Sequence, residues 1–339
     1  MYNESMKKVK LIPPPLTLNA GTFIQEQYTT YKEMVQSSTS NWDFNCTYEL
    51  RPKALTGLHQ TIQLETMFIS LVTRPGGMMH DALSAKDTIS LVIHMDLEDK
   101  ACADRLKLEK GDIIILDDQK AYNYMTNAYV SLAIVTIANS RLGDMHSFFL
   151  GKAMHKLLDT NDELGQLSKK IWKDFTSSSP SKDFKTAEES ILSVIRKIVQ
   201  TQEPIAPSLT KGEEIAYTIR DQLYHHMDGN IKIEELVKKY KISERSLQSS
   251  FKSLFGFTPK IFMRNLKLNL IRHDLSFEST AETTVLNIAH RWGFFHMGRF
   301  SKYYKELFEE TPSETLKRSF DHNKAFTGEC VERKEEIVL

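Results

Sequence analysis

The chain has 339 residues, 41% hydrophobic and 26% charged, with 44 basic and 44 acidic side chains. This reads as a soluble, globular protein, and the length is that of two domains. No run of about 18 apolar residues occurs, which excludes a membrane-spanning helix, and a net charge of zero argues against nucleic acid as a partner of the chain taken whole.

Lys7, Lys8 and Lys10 precede no long apolar core, so no signal peptide is expected. Cys46, Cys102 and Cys330 lie far apart, without metal-type spacing or the look of a disulfide framework. A cytoplasmic setting follows. Met67 to Val72, Thr88 to Met95, Ile113 to Leu116 and Val130 to Ile137 are short β-branched runs. Thr88 to Met95 alternates as a half-buried strand would. Arg74-Pro75-Gly76-Gly77, Lys110-Gly111-Asp112 and Asp117-Asp118 are the turns between them. Such punctuation predicts a small sandwich or barrel. His59, His80 and His94 stand isolated, with no His-x-His pair. They read as core or polar histidines rather than ligands, so neither metal nor cofactor is expected. No Gly-x-Ser-x-Gly elbow or phosphate loop points to an enzyme.

From Arg141 the apolar period becomes helical. Leu142, Met145, Phe149, Met154, Leu157 and Leu158 make one stretch, and Leu164, Leu167, Ile171, Trp172 and Phe175 the next. Thr176 to Asp183 is a loop. Ile191, Val194, Ile195, Ile198 and Val199 give a further amphipathic helix. Residues 1–202 are read as one domain, 203–209 with Pro204 and Pro207 as a linker, 210–320 as a second domain, and 321–339 as a tail.

The second domain uses one word twice. Phe251-Lys252-Ser253-Leu254-Phe255-Gly256-Phe257-Thr258-Pro259 returns 53 residues later as Tyr304-Lys305-Glu306-Leu307-Phe308-Glu309-Glu310-Thr311-Pro312. A repeat with matched helix and stop signals is one supersecondary unit used twice. Ile233, Leu236, Val237 and Tyr240 precede the first copy, then Ser243 as a helix cap. Val285, Ile288, Ala289 and Trp292 precede the second, then Gly293-Phe294. Short helix, tight turn, longer helix is the helix-turn-helix pattern, whose second helix lies in a DNA major groove. Pro259 to about Leu275 carries more apolar surface than one stripe needs, as a helix buried between two neighbours would. It predicts a rod setting two heads about 34 Å apart, for successive grooves of double-stranded DNA.

With Leu247, Phe251 and Leu254 inward, Arg245, Gln248, Ser249 and Lys252 face the groove. His296, Arg299, Lys302 and Lys305 take comparable places in the second unit. Arg forks onto guanine and Gln onto adenine, whereas Lys252 suits phosphate. Any one of these taken alone could equally be a solvated surface residue. Residues 210–320 hold 18 Lys and Arg against 14 Asp and Glu, an excess of four that the rest of the chain cancels.

These words resemble the AraC/XylS-type transcription regulators: Leu247 to Pro259, Arg264-Asn265-Leu266-Lys267-Leu268-Asn269, Ile288-Ala289-His290-Arg291-Trp292-Gly293-Phe294 and Thr311-Pro312-Ser313. The likeness covers about 211–320. The resemblance implies an α+β chain. An N-terminal cupin-like β-barrel or sandwich with following helices senses a small-molecule effector of unspecified identity. A C-terminal all-α domain of two helix-turn-helix units joined by a linker helix binds DNA. It also implies an activator, a homodimer and contact with RNA polymerase. Leu108 to Asp117 is similar to a strand-turn-strand of such barrels. The helices after the barrel would pair with a second subunit, or pack on their own barrel. Trp292 to Phe300 further resembles the ethanolamine-utilisation regulator branch, which would imply a small amine or cobalamin-type signal. Two departures stand out: His296 where a small N-cap is usual, and Gly298 inside the second reading helix, a risk of fraying. The rival readings are a cupin-class enzyme with an accessory DNA-binding part and a non-specific architectural DNA binder.

Overall fold

The computed structural model describes residues 19–28, 42–51, 56–74, 76–159, 161–178, 183–225, 232–277 and 284–325, with 42–47 and 320–325 described by backbone alone. Two antiparallel sheets pack face to face. The larger has the order β1 (Phe23–Tyr28), β3 (Gly57–Gln63), β4 (Met67–Arg74), β11 (Val130–Ala138), β6 (Thr88–Leu97), β9 (Asp112–Asp117) and β12 (Lys156–Leu158). The smaller has the order β2 (Trp42–Glu49), β5 (Met78–Ser84), β10 (Tyr122–Thr126), β7 (Ala101–Ala103) and β8 (Leu106–Leu108).

Strand side chains alternate between faces, and this parity sorts the core. Ile69, Leu71, Leu91, Ile93, Ile113, Ile115, Ala133 and Val135 of the larger sheet face outward and are covered by helices. Those helices are α1 (Glu163–Thr176) and α2 (Phe184–Thr201), which bring Leu164, Ile171, Ile191 and Ile195. Thus both helices pack on their own sheet. Val72, Val92, Ile114, Leu116, Leu132 and Ile134 face inward against Ala82, Ala101, Ala103, Tyr122 and Tyr124 of the smaller sheet. The half-burial expected of Thr88 to Met95 is therefore wrong: the strand is buried on both faces through Met95, because helices close the face that was expected to meet water.

A second correction concerns Met154 to Leu158. The spacing suggested helix, yet Lys156–Leu158 is an edge strand paired with β9. Gly151 and Met154 both take positive φ, at 68° and 64°, which no right-handed helix tolerates. Short helical turns occupy only Asn139–Leu142 and His146–Phe149 before that point. Lys156 then bridges to Ile205 in the expected linker.

The remaining helices are α3 (Lys211–His225), α4 (Ile233–Tyr240), α5 (Glu244–Phe255), α6 (Pro259–Phe277), α7 (Val285–Arg291), α8 (Met297–Phe308) and α9 (Pro312–Ala325). The last runs past the expected boundary at 320. Residues 326–339, with Cys330, lie outside the described residues, as do Lys7, Lys8 and Lys10. Helix α6 explains its own apolar excess. Phe262, Leu266 and Leu270 enter the first core with α3, α4 and α5, whereas Leu268, Ile271 and Leu275 enter the second with α7 and α8. Ile261 is the exception and stays exposed. No described helix is long and apolar enough to cross a membrane.

Candidate nucleic-acid interface

The first unit is built by α4, a turn through Lys241 in the left-handed region, and α5. Ser243 caps α5, its hydroxyl accepting from the Ser246 N–H at 3.0 Å. That satisfies one of the donors a helix start leaves open. Leu247, Phe251, Leu254 and Phe255 are buried, which turns Arg245, Gln248, Ser249 and Lys252 to solvent; all four are exposed. In the second unit Phe300, Tyr304, Leu307 and Phe308 are buried, and His296, Arg299, Lys302 and Lys305 are exposed. Seven of the eight residues expected to meet DNA thus lie on the open faces of α5 and α8, and His296 lies at the N-cap of α8.

Two contacts were not legible from the sequence. Gln248 donates to Glu244 Oε1 at 3.0 Å, and Lys302 pairs with Glu306 at 3.8 Å. Each of the two helices holds one expected contact residue against an acid one turn away, and exposed pairs of this kind contribute little to stability. Phe295, just before α8, is 71% exposed, and its ring stands 5.5 Å from that of His290.

Helix α8 runs unbroken through Gly298, although His296 at its N-cap makes no side-chain cap bond. A Cβ added at Gly298 would meet nothing within 4 Å. Gly298→Ala is therefore expected to stabilise the chain by up to about 1 kcal/mol through helix propensity and a less disordered unfolded state. Thermal unfolding checks it. A gain in stability with a loss of DNA affinity would mean that the glycine lets the backbone approach the duplex.

The opposite side of the first unit is docked on the smaller sheet. Tyr48, Leu50, Met79, Cys102 and Met125 form one buried cluster with Tyr217, Phe251, Phe255 and Phe257. Asn265 Nδ2 donates to the Leu50 carbonyl at 2.8 Å. Asn269 both donates to the Glu49 carbonyl and accepts its N–H, each at 2.8 Å. Arg272 pairs with Glu49 and, at 3.2 Å, with Glu310. Tyr224 donates to Asp81 at 2.7 Å. The two copies of the repeat differ here for a reason. Gly256 and Glu309 both end their helices with positive φ, at 71° and 59°. At Gly256 a Cβ would come within 2.5 Å of Asn127 Nδ2 in the sheet domain, whereas the Glu309 side chain is exposed. The seam is imperfectly satisfied: Arg51 Nε and both side-chain polar atoms of Asn127 are buried without hydrogen-bond partners.

The expected core histidines are buried, at 6% exposure or less. His94 Nδ1 donates to the Asp112 carbonyl at 3.0 Å, so its Nε2 accepts from the Tyr124 hydroxyl at 3.1 Å. Among the described residues no three His, Cys, Asp or Glu are grouped to hold a metal ion.

Two helix-turn-helix units on one shared rod, with both reading faces open, define a DNA-binding domain. Residues 236–318 match the family model described as a helix-turn-helix domain. Over 109 residues the chain is 37% identical to XylDLEGF operon transcriptional activator 1 of Pseudomonas putida, covering 32% of this chain and 33% of that one. It is 35% identical over 97 residues to the probable thc operon regulatory protein of Rhodococcus erythropolis, covering 29% of each. The alignments thus span about a third of these relatives' length. The solved structure of the AraC-like transcriptional activator CuxR covers 75% of this chain, and 96% of its own, at 13% identity and a TM-score of 0.41. Residues 236–318 thus form a helix-turn-helix domain similar in sequence to part of these transcriptional regulators.

Proposed function

We propose that the chain is a sequence-specific transcription regulator, an activator, that works in the cytoplasm as a homodimer, is not an enzyme and contacts RNA polymerase. A small molecule bound between the two sheets controls it. The observation that carries this reading is the division of faces on the first unit: α5 opens outward while α3 and α6 hold the sheet domain. The smaller sheet is then a shared wall. Tyr122 and Tyr124 line its inner side, and Met125, the residue after Tyr124, packs with the helical domain on its outer side. A ligand that moves one side moves the other. It shifts the docked state only by its difference in affinity for the two arrangements. Buried polar atoms left unpaired at the seam cost about 1–3 kcal/mol each, which makes docking reversible.

The four contact residues of α5 read the bases or phosphates of one major groove, and those of α8 read the next. Footprinting of selected genomic fragments at stated salt tests this. Two protected major grooves one turn apart in each half-site are expected, whereas protection without sequence preference would favour an architectural binder. Arg245→Ala should weaken specific binding by about 1–3 kcal/mol and relax the preference at one base pair. A uniform loss over all sequences would make Arg245 a phosphate contact instead.

A further inference from the structure

Helix α6 turns four flanks to its surroundings. At the spacing of an α-helix, Phe262, Leu266 and Leu270 fall on one flank and enter the first core. Leu268, Ile271 and Leu275 fall on the opposite flank and enter the second. A third flank holds the sheet domain through Asn265, Asn269 and Arg272. The fourth faces away from the sheet domain and carries Lys260, Met263, Lys267 and Asp274.

On that fourth flank the acid is engaged and one base is not. Asp274 accepts from the Trp292 indole N–H at 2.7 Å and pairs with Arg291 at 3.6 Å. Trp292 packs on both cores, so the two units are joined along this flank. Lys267 is half-buried, yet it makes no hydrogen bond or ion pair among the described residues. Burial alone acts on its pKa and lowers it, whereas a neighbouring carboxylate would raise it. A Cβ built on Gly293 would lie 4.0 Å from its Nζ. The ammonium therefore stands beside the turn that leads from α7 into α8. Holding a lysine in this way costs side-chain freedom, and nothing in the folded chain offsets that cost.

DNA supplies the missing counter-charge. Successive major grooves on one face of B-DNA are separated by a minor groove, with a row of phosphates on each border. A rod whose two heads sit in those grooves crosses these borders. It does so with its fourth flank, because the sheet domain occupies the opposite one. We infer that the Lys267 ammonium binds a DNA phosphate on the border between the two grooves, beside the groove that α8 enters. The inference rests on the double-reader reading above and adds a contact made by the rod itself. Such a contact fixes the register of both heads on the duplex and carries no sequence information.

Fluorescence anisotropy of the full chain tests this, with the footprinted fragment and with an unrelated duplex, between about 0.05 and about 0.3 M salt. Lys267→Met should weaken binding to both duplexes by the same factor, roughly fivefold at about 0.15 M salt, and lower the salt slope by about one. Lys267→Arg should keep affinity and slope. Lys169→Met, on the exposed side of α1, should leave the slope unchanged and so exclude an effect of net charge alone. Replacing phosphates one at a time by uncharged methylphosphonate locates the contact. At one position between the protected grooves the replacement should weaken the wild-type chain roughly fivefold and the Lys267→Met chain not at all. The melting temperature of Lys267→Met should equal or exceed that of the wild-type chain, because no partner is lost.

An unchanged salt slope for Lys267→Met overturns the proposal, as does a methylphosphonate scan that is the same for both chains. A loss confined to the footprinted fragment also overturns it and makes Lys267 a base contact. A lower melting temperature, or failure to fold, overturns it by making Lys267 structural. Two protected grooves with an unaltered slope remove this contact alone, whereas protection of a single groove removes the double reader with it.

Discussion

Replacing Phe251 by alanine is expected to cost about 3–5 kcal/mol of folding stability and to abolish DNA binding. The side chain is fully buried, with its ring 4.7 Å from Phe255 and 5.7 Å from Phe262. It belongs to the core that α5 shares with α3, α6 and the smaller sheet. Truncation removes the transfer energy of the ring and leaves a cavity that these fixed elements cannot close. The reading face of α5 then loses the backing that orients Arg245 and Gln248. Phe300→Ala is the matched control: it is fully buried in the second core, away from the sheets. It should cost as much while sparing the docked seam. Denaturant unfolding, with DNA affinity measured alongside, checks both. A cost below about 1 kcal/mol for Phe251→Ala would contradict the packing described.

Acid is expected to destabilise the sheet domain before carboxylates titrate. His94 is fully buried, and burial pushes its pKa down to about 4 in spite of Asp112, whose carbonyl and charge favour the proton. Lys156, which pairs with Asp112 at 2.9 Å, adds its own opposition. The unfolded histidine titrates near pH 6.5. Below that value the unfolded chain binds a proton that the folded chain refuses, so stability falls as the pH falls. The loss runs from about pH 6.5 to about pH 4 and amounts to about 3 kcal/mol from His94. His80, its pKa lowered by burial and by the Arg74 charge, acts in the same direction. Unfolding free energies across that range should show the decline, and His94→Gln should flatten its share. Parallel curves for the two chains would mean that His94 is not the titrating group.

The helical half was largely legible because its signals are local. The Ser243 cap, the Thr-Pro stops and the four-residue apolar spacing act within one helix, so a repeated word predicted a repeated unit. Solvent exposure of all eight expected contact residues follows from the same spacing, since turning Phe251 inward turns Arg245 and Gln248 outward. The sheets were only partly legible. Their four most β-branched strands could be read, but β5 and β10 carry Met, His, Asp, Asn and Tyr and gave no comparable run. Arg74 sat beside Pro75-Gly76-Gly77 and looked like a turn residue; only β4 running on to its last residue aims it inward. Met154 to Leu158 had helical spacing, but positive φ at two positions and an edge of β9 awaiting a partner made it a strand.

What the sequence determined by itself is the pair of reading helices and the rod between them, because capping, periodicity and stop signals are set by neighbours a few positions apart. What only the tertiary structure decided is the sharing of one sheet between the core of the sandwich and the helical domain. Asn265 and Asn269 meet Leu50 and Glu49 across more than 200 positions of chain. Burial of Arg74 likewise depends on strands distant in sequence closing over it. No local pattern encodes such contacts, since each residue's environment there is made by partners that approach it only when the whole chain has folded.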